Sequence, residues 1–148
     1  MAVFVAVLAA LVAGAAAGEN RSLEERCEAG IVELHEWIER WSNSELPNAP
    51  EAFARFRDVI APSFVIIDPD GAMIEREPIV AALRGAHGRW REAPGRIRIE
   101  NFRLHQEGGG LALATYEEWH DVGGDTVARL SSVLFGAHEG APNGLVWL

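Results

Sequence analysis

The sequence predicts an α+β fold, with helices packed on one face of a curved antiparallel sheet. Two patterns predict it. From Leu23 to Leu83 apolar residues recur mainly at three- and four-residue steps, interrupted by proline-bearing loops. From Ile97 onward apolar and polar residues largely alternate, punctuated by glycine turns. The chain has 148 residues, 49% of them apolar, which suits one domain with a core of its own. That domain is expected over residues 22–148.

Ser22-Leu23-Glu24-Glu25 reads as a capping box, so a helix starts near Leu23. Leu23, Cys27, Ile31, Leu34, Ile38 and Trp41 form its apolar stripe, with acids mostly opposite. Residues 42–50, with two prolines, form a loop. A second helix is expected from Pro50 to Ile60, burying Phe53, Phe56, Val59 and Ile60, and stopped by Pro62. Ser63–Ile67 is expected to be a strand covered on both faces. Pro69-Asp70-Gly71 is a turn, and Ala72–Glu75 pairs back across it. Pro78 opens a third helix with Ile79, Val80 and Leu83 inward.

The last third carries the sheet. Ile97 and Ile99 alternate in one phase, Phe102 and Leu104 in the other, which predicts a β-bulge near Asn101. Leu111–Asp121 and Thr126–Ala137 are the two longest strands, joined across Gly123-Gly124. Neither strand has a cleanly polar face, which predicts that both faces are covered, one by helices and the other by a partner subunit. Gly144–Leu148 opens a further strand, and the residues that would complete it are expected to be absent from this sequence.

Composition excludes several functions. There are 22 acids against 13 bases, a net charge of -9, so tracking a nucleic-acid backbone is not expected. All the bases are arginine, which removes Schiff-base lysine chemistry and phosphate-binding-loop sites. The single cysteine, Cys27, sits in the helical stripe and reads as a buried, inert thiol. His35, His87, His105, His120 and His138 lack metal-ligand spacing and read as surface or helix-end residues. No cofactor motif and no serine-hydrolase elbow is present.

Residues 1–18, MAVFVAVLAALVAGAAAG, contain no charge. They fit a secretory signal without a basic start, a short membrane anchor, or an extension on a cytosolic protein. The first reading makes the protein secreted or periplasmic, the second attaches it to a membrane, and the third leaves it cytoplasmic.

The candidate site lies on the central hairpin. A two-residue turn at Gly123-Gly124 places Glu118 opposite Arg129, Tyr116 opposite Ser131 and Ala114 opposite Val133. A three-residue turn would put Glu117 opposite Arg129 instead. In a pocket, Glu118 and Arg129 would fix a polar ligand group, with Tyr116 and Ser131 adding hydrogen bonds. The plainer reading is a structural cross-strand ion pair. Trp37 lies off the main helical stripe, either lining that pocket or packing in a core or dimer contact.

Cys27–Trp41 (CEAGIVELHEWIERW), Phe64–Leu83 (FVIIDPDGAMIEREPIVAAL), Thr115–Trp119 (TYEEW), Arg129–Phe135 (RLSSVLF) and Gly144–Leu148 (GLVWL) resemble the NTF2-like, or cystatin-like cone, superfamily. Within it the chain looks most like the domain-of-unknown-function-4440, SnoaL-like group. The resemblance implies a cone-shaped sheet, three helices on its concave face, an interior pocket and homodimers through the outer sheet face. It also implies a strand carrying histidine and glutamate beyond Trp147. Steroid isomerases of the superfamily place an aspartate before proline as general base, a position matched here by Asp68. The position that supplies their second acid is Ser131, a weaker donor. The plainer role for Asp68 is to open the turn. Three functions follow as expectations: a domain binding a small, largely apolar molecule with one polar end; an isomerase, cyclase or dehydratase with Asp68 as base; and a dimerisation module without a ligand.

Overall fold

The computed structural model describes residues 21–148, so the apolar segment 1–18 lies outside the described residues. Helix α1 spans Leu23–Ser42 and α2 spans Pro50–Arg57. Strands β1 (Val65–Ile67) and β2 (Met73–Glu75) form a two-stranded ribbon, followed by α3 (Arg76–Gly85). Strands β3 (Gly95–Gly108), β4 (Leu111–Val122), β5 (Asp125–Ala137) and β6 (Leu145–Trp147) make one antiparallel sheet in that order. The class is α+β, with the helices against one face of a curved sheet.

Local chemistry accounts for the boundaries. The Ser22 hydroxyl accepts from the Glu25 amide at 3.2 Å, and the Glu25 carboxylate accepts from the Ser22 amide at 2.7 Å. The Ser22 amide, and next the Ser22 hydroxyl, hold the Glu25 carboxyl below its usual value. The bulge falls where the two phases of β3 meet. Its pairing with β4 shifts between Glu100 and Arg103, and Asn101 takes φ 52°. At the hairpin tip Gly123 (φ 60°) and Gly124 (φ 90°) form the two-residue turn, and only glycine adopts both angles without strain.

Three expectations change. Helix α2 ends at Arg57, short of Ile60, because the following backbone is taken by the sheet: the Trp147 amide donates to Val59 and the Ala61 amide donates to Trp147. Helix α3 begins at Arg76, with Pro78 inside the first turn, where its missing N–H costs nothing. The ribbon strand is not covered on both faces. Ile66 is 39% and Ile67 70% exposed, because β1 pairs with β2 alone.

The inner face of the sheet carries Ala112, Ala114, Tyr116, Glu118, Val133 and Phe135 against α1. Cys27, Ile31, Leu34 and Trp41 meet them from the helix, and burial pushes the Cys27 thiol up. Aromatic rings pack within the core. Trp37 stacks on Trp41 at 5.1 Å and on Phe56 at 5.7 Å, and Phe135 meets Trp147 edge-on at 5.1 Å. The outer face is different. Leu111, Leu113, Leu130 and Leu134 stand exposed on β4 and β5, with Thr115 and Ser132 paired between them. Alternation is sharp from Leu111 to Glu118 of β4, whereas β5 is exposed on both faces from Asp125 to Leu130; what blurs the pattern in the sequence is that the outer side carries leucines too.

Candidate functional site

Register builds the site. With two residues in the turn, β4 and β5 pair Glu118 with Arg129, Tyr116 with Ser131 and Ala114 with Val133, as the shorter turn predicts. Period-two alternation turns Glu118 and His120 to the same inner side of β4. Helix α1 contributes His35, four residues after Ile31 and thus on the same helical face.

Glu118 is the centre, 3% exposed. Arg129 grips it with two bonds: Nη2 donates to Oε1 at 2.7 Å and Nε to Oε2 at 3.1 Å. His120 Nε2 lies 2.5 Å from Oε1, His35 Nε2 3.4 Å from Oε2, and the Ser131 hydroxyl donates to Oε2 at 3.5 Å. The other His35 nitrogen, Nδ1, lies 2.8 Å from the Ile31 carbonyl, which can only accept. Burial alone would raise the Glu118 carboxyl, but bonds from His120, His35 and Arg129 outweigh it and hold the group well below the usual carboxylate range. Burial, reinforced by the Glu118 charge, pushes the Tyr116 hydroxyl upward.

The arrangement is a saturated carboxylate. Both oxygens of Glu118 are engaged, so it has no free lone pair with which to take a proton from a substrate or hold a cation. What stays open is the outer side of Arg129, whose side chain is 56% exposed. Tyr116, Glu118, Arg129 and Ser131 are thus brought together. Trp37 and Asp68 are elsewhere. The Trp37 indole donates to the Ala52 carbonyl at 3.2 Å and belongs to the aromatic stack between α1 and α2. Asp68 Oδ1 accepts from the Asp70 amide at 2.9 Å and the Ala72 amide at 2.8 Å, so it closes the turn between β1 and β2.

His35 and His120 belong to the cluster, although from the sequence they read as surface or helix-end residues. Two signals point to them: His120 is two residues from Glu118 on one strand, and His35 is four residues from Ile31 on one helix. The remaining histidines stand apart from Glu118: His87 Nε2 lies 2.8 Å from the Leu46 carbonyl, and His105 lies on β3 beside Thr115. A groove of about 390 Å³ opens at the start of β4, lined by Leu23, Arg26, Glu107, Leu111 and Leu145 among others; it reaches neither Glu118 nor Asp68. Among the described residues no group of three or more His, Cys, Asp or Glu side chains is placed to hold a metal, and no helix is long and apolar enough to cross a membrane.

Residues 27–148 match the family model described as sucrose-6-phosphate phosphohydrolase C-terminal. The chain belongs to that family. Solved structures of low sequence identity share its fold, which is NTF2-like. An NTF-2 like protein of unknown function from Pseudomonas aeruginosa superposes with a TM-score of 0.71 at 21% identity, over 82% of this chain and 92% of that one. Aln2 from a Streptomyces species gives 0.57 at 16% identity, over 86% and 88%. The association domain of CaMKII from C. elegans gives 0.52 at 18% identity, over 84% and 92%.

Proposed function

We propose that this domain is a non-catalytic association module that pairs with a second copy of itself through the outer face of its sheet. One observation carries the reading. Leu111, Leu113, Leu130 and Leu134 stand 38–77% exposed on one continuous face of the two longest hairpin strands. A monomer gains nothing from four such leucines together. Buried from both copies at about 1 kcal/mol for each half-exposed side chain, they would contribute about 8 kcal/mol. That is of the order needed to offset the freedom lost on association. Two further facts support the reading. A CaMKII association domain shares the fold. The family is named for the C-terminal part of a phosphohydrolase, which fits a module accompanying a catalytic unit.

Aromatic rings packed between α1 and α2 and the saturated Glu118 carboxylate support it from the other side. Asp68 accepts two turn amides on one carboxylate oxygen, which supports its role as a turn residue. Binding of a small molecule keeps one observation in its favour, the open outer side of Arg129 at the edge of the cluster.

The test is light scattering on the full chain at tens of micromolar, wild type against L130D and L134D. The reading predicts a dimer that both substitutions convert to a folded monomer. A wild-type monomer, or a dimer indifferent to both changes, overturns it.

A further inference from the structure

The groove at the start of β4 is separate from the Glu118 cluster. It measures about 390 Å³, within the range of about 300–1,000 Å³ usual for small-molecule sites. Small residues keep it open. Gly108 and Gly110 bring no side chain to its lining, and a Cβ on Gly108 would meet nothing within 4 Å. Helix α1 contributes Leu23 and Arg26, three residues apart and so on one helical face. Leu111 and Leu145 add apolar wall, and Leu145 is 4% exposed. Glu107, at the end of β3, completes the charged part of the lining.

The polar needs of this lining are unmet. Arg26 Nη1 donates to the Asn143 carbonyl at 3.4 Å, and Arg26 Nε is buried with no acceptor. The guanidinium lies against this backbone because residue 144 is glycine: a Cβ there would lie 2.9 Å from Nη1. Among the described residues neither Arg26 nor Glu107 forms an ion pair, with each other or with any third group, although one cavity holds both. A buried donor without an acceptor costs free energy, and a carboxylate in the groove would offer the guanidinium two acceptor oxygens. Glu107 in turn would repel a plain anion and attract an ammonium group. The complementary ligand therefore carries both charges, with an apolar part for the leucines.

We propose that this groove binds a free α-amino acid with an apolar side chain. Its carboxylate lies on Arg26, its ammonium on Glu107, and its side chain against Leu23, Leu111 and Leu145. The site does not rest on the association reading. It shares Leu111 with the outer sheet face, but Leu130 is no part of its lining, so the L130D variant keeps it.

The experiment is calorimetric titration of the full chain at low ionic strength with L-leucine and, separately, with L-phenylalanine. Saturable binding of at least one is expected. The N-acetyl derivative of the tighter ligand lacks the ammonium charge and its amide lacks the carboxylate. Each is expected to bind about tenfold more weakly or worse. R26A and E107Q are each expected to weaken the amino acid by about tenfold or more. Glu107 is exposed, so E107Q is expected to keep the wild-type thermal melt, which separates lost binding from lost folding. R103A changes an exposed β3 charge outside the groove lining and is expected to bind as wild type does. No saturable binding of either amino acid, equal binding of either derivative, unchanged binding in R26A or E107Q, or an equal loss in R103A overturns the proposal. The same titration on L130D is expected to match wild type, so a failed association reading and a failed groove are told apart.

Discussion

Arg129 holds Glu118 with one nitrogen for each carboxylate oxygen, at 2.7 and 3.1 Å, across two adjacent strands. The partners are unequal: the Glu118 side chain is 4% exposed and that of Arg129 is 56% exposed. A buried acid clamped by a half-exposed base ties β4 to β5 at their inner face. It also sets which partner the fold misses more when it is removed.

Substitution of Glu118 by alanine should be the costlier change. It leaves His35, His120 and Arg129 facing one another with no anion, a loss of about 3 kcal/mol. R129A should cost about 2 kcal/mol or less, because His120, His35 and Ser131 still bond the carboxylate and water reaches the vacated side. Urea unfolding of both variants checks the order, and R129A being the less stable would contradict it.

Acid should unfold the protein through the same group. The Glu118 carboxyl is held below its unfolded value, so in acid the unfolded state binds more protons than the folded one. The stabilisation is complete above about pH 4.3, where unfolded glutamate titrates, and is lost as pH falls toward the folded value. E118Q, with nearly the same shape, should be less stable at neutral pH. Its stability should fall less steeply than wild type below about pH 4. Parallel slopes for the two proteins would refute this.

Asp68 should behave as a turn residue. D68N keeps an oxygen able to accept from the Asp70 and Ala72 amides and should retain wild-type stability within about 0.5 kcal/mol. D68A removes it and should cost about 1 kcal/mol. Thermal melts of the two variants make the comparison.

Much of this geometry is legible in the sequence where a short rule leaves little freedom. Two glycines between two strands leave two registers, and the two-residue turn of the structure is the one that sets Glu118 against Arg129. The serine and glutamate before α1 fix its start. The change of phase after Ile99 fixes the bulge. Reasoning fails where a residue's role depends on what comes from far along the chain. His35 is four residues from Ile31, yet nothing local says that a β4 carboxylate will meet it. Trp37 and Trp41 share a helical face by their spacing, but whether that face bounds a pocket or fills it depends on Phe53 and Phe56 arriving from α2. The end of α2 is likewise decided by Trp147, at the far end of the chain, whose backbone takes the amide and carbonyl that a longer helix would use.

Sedimentation velocity of the wild-type full chain across the micromolar range tests the association module most directly. The account predicts a concentration-dependent species at twice the 16.1 kDa chain mass. A single species at the chain mass, up to the highest soluble concentration, would contradict it.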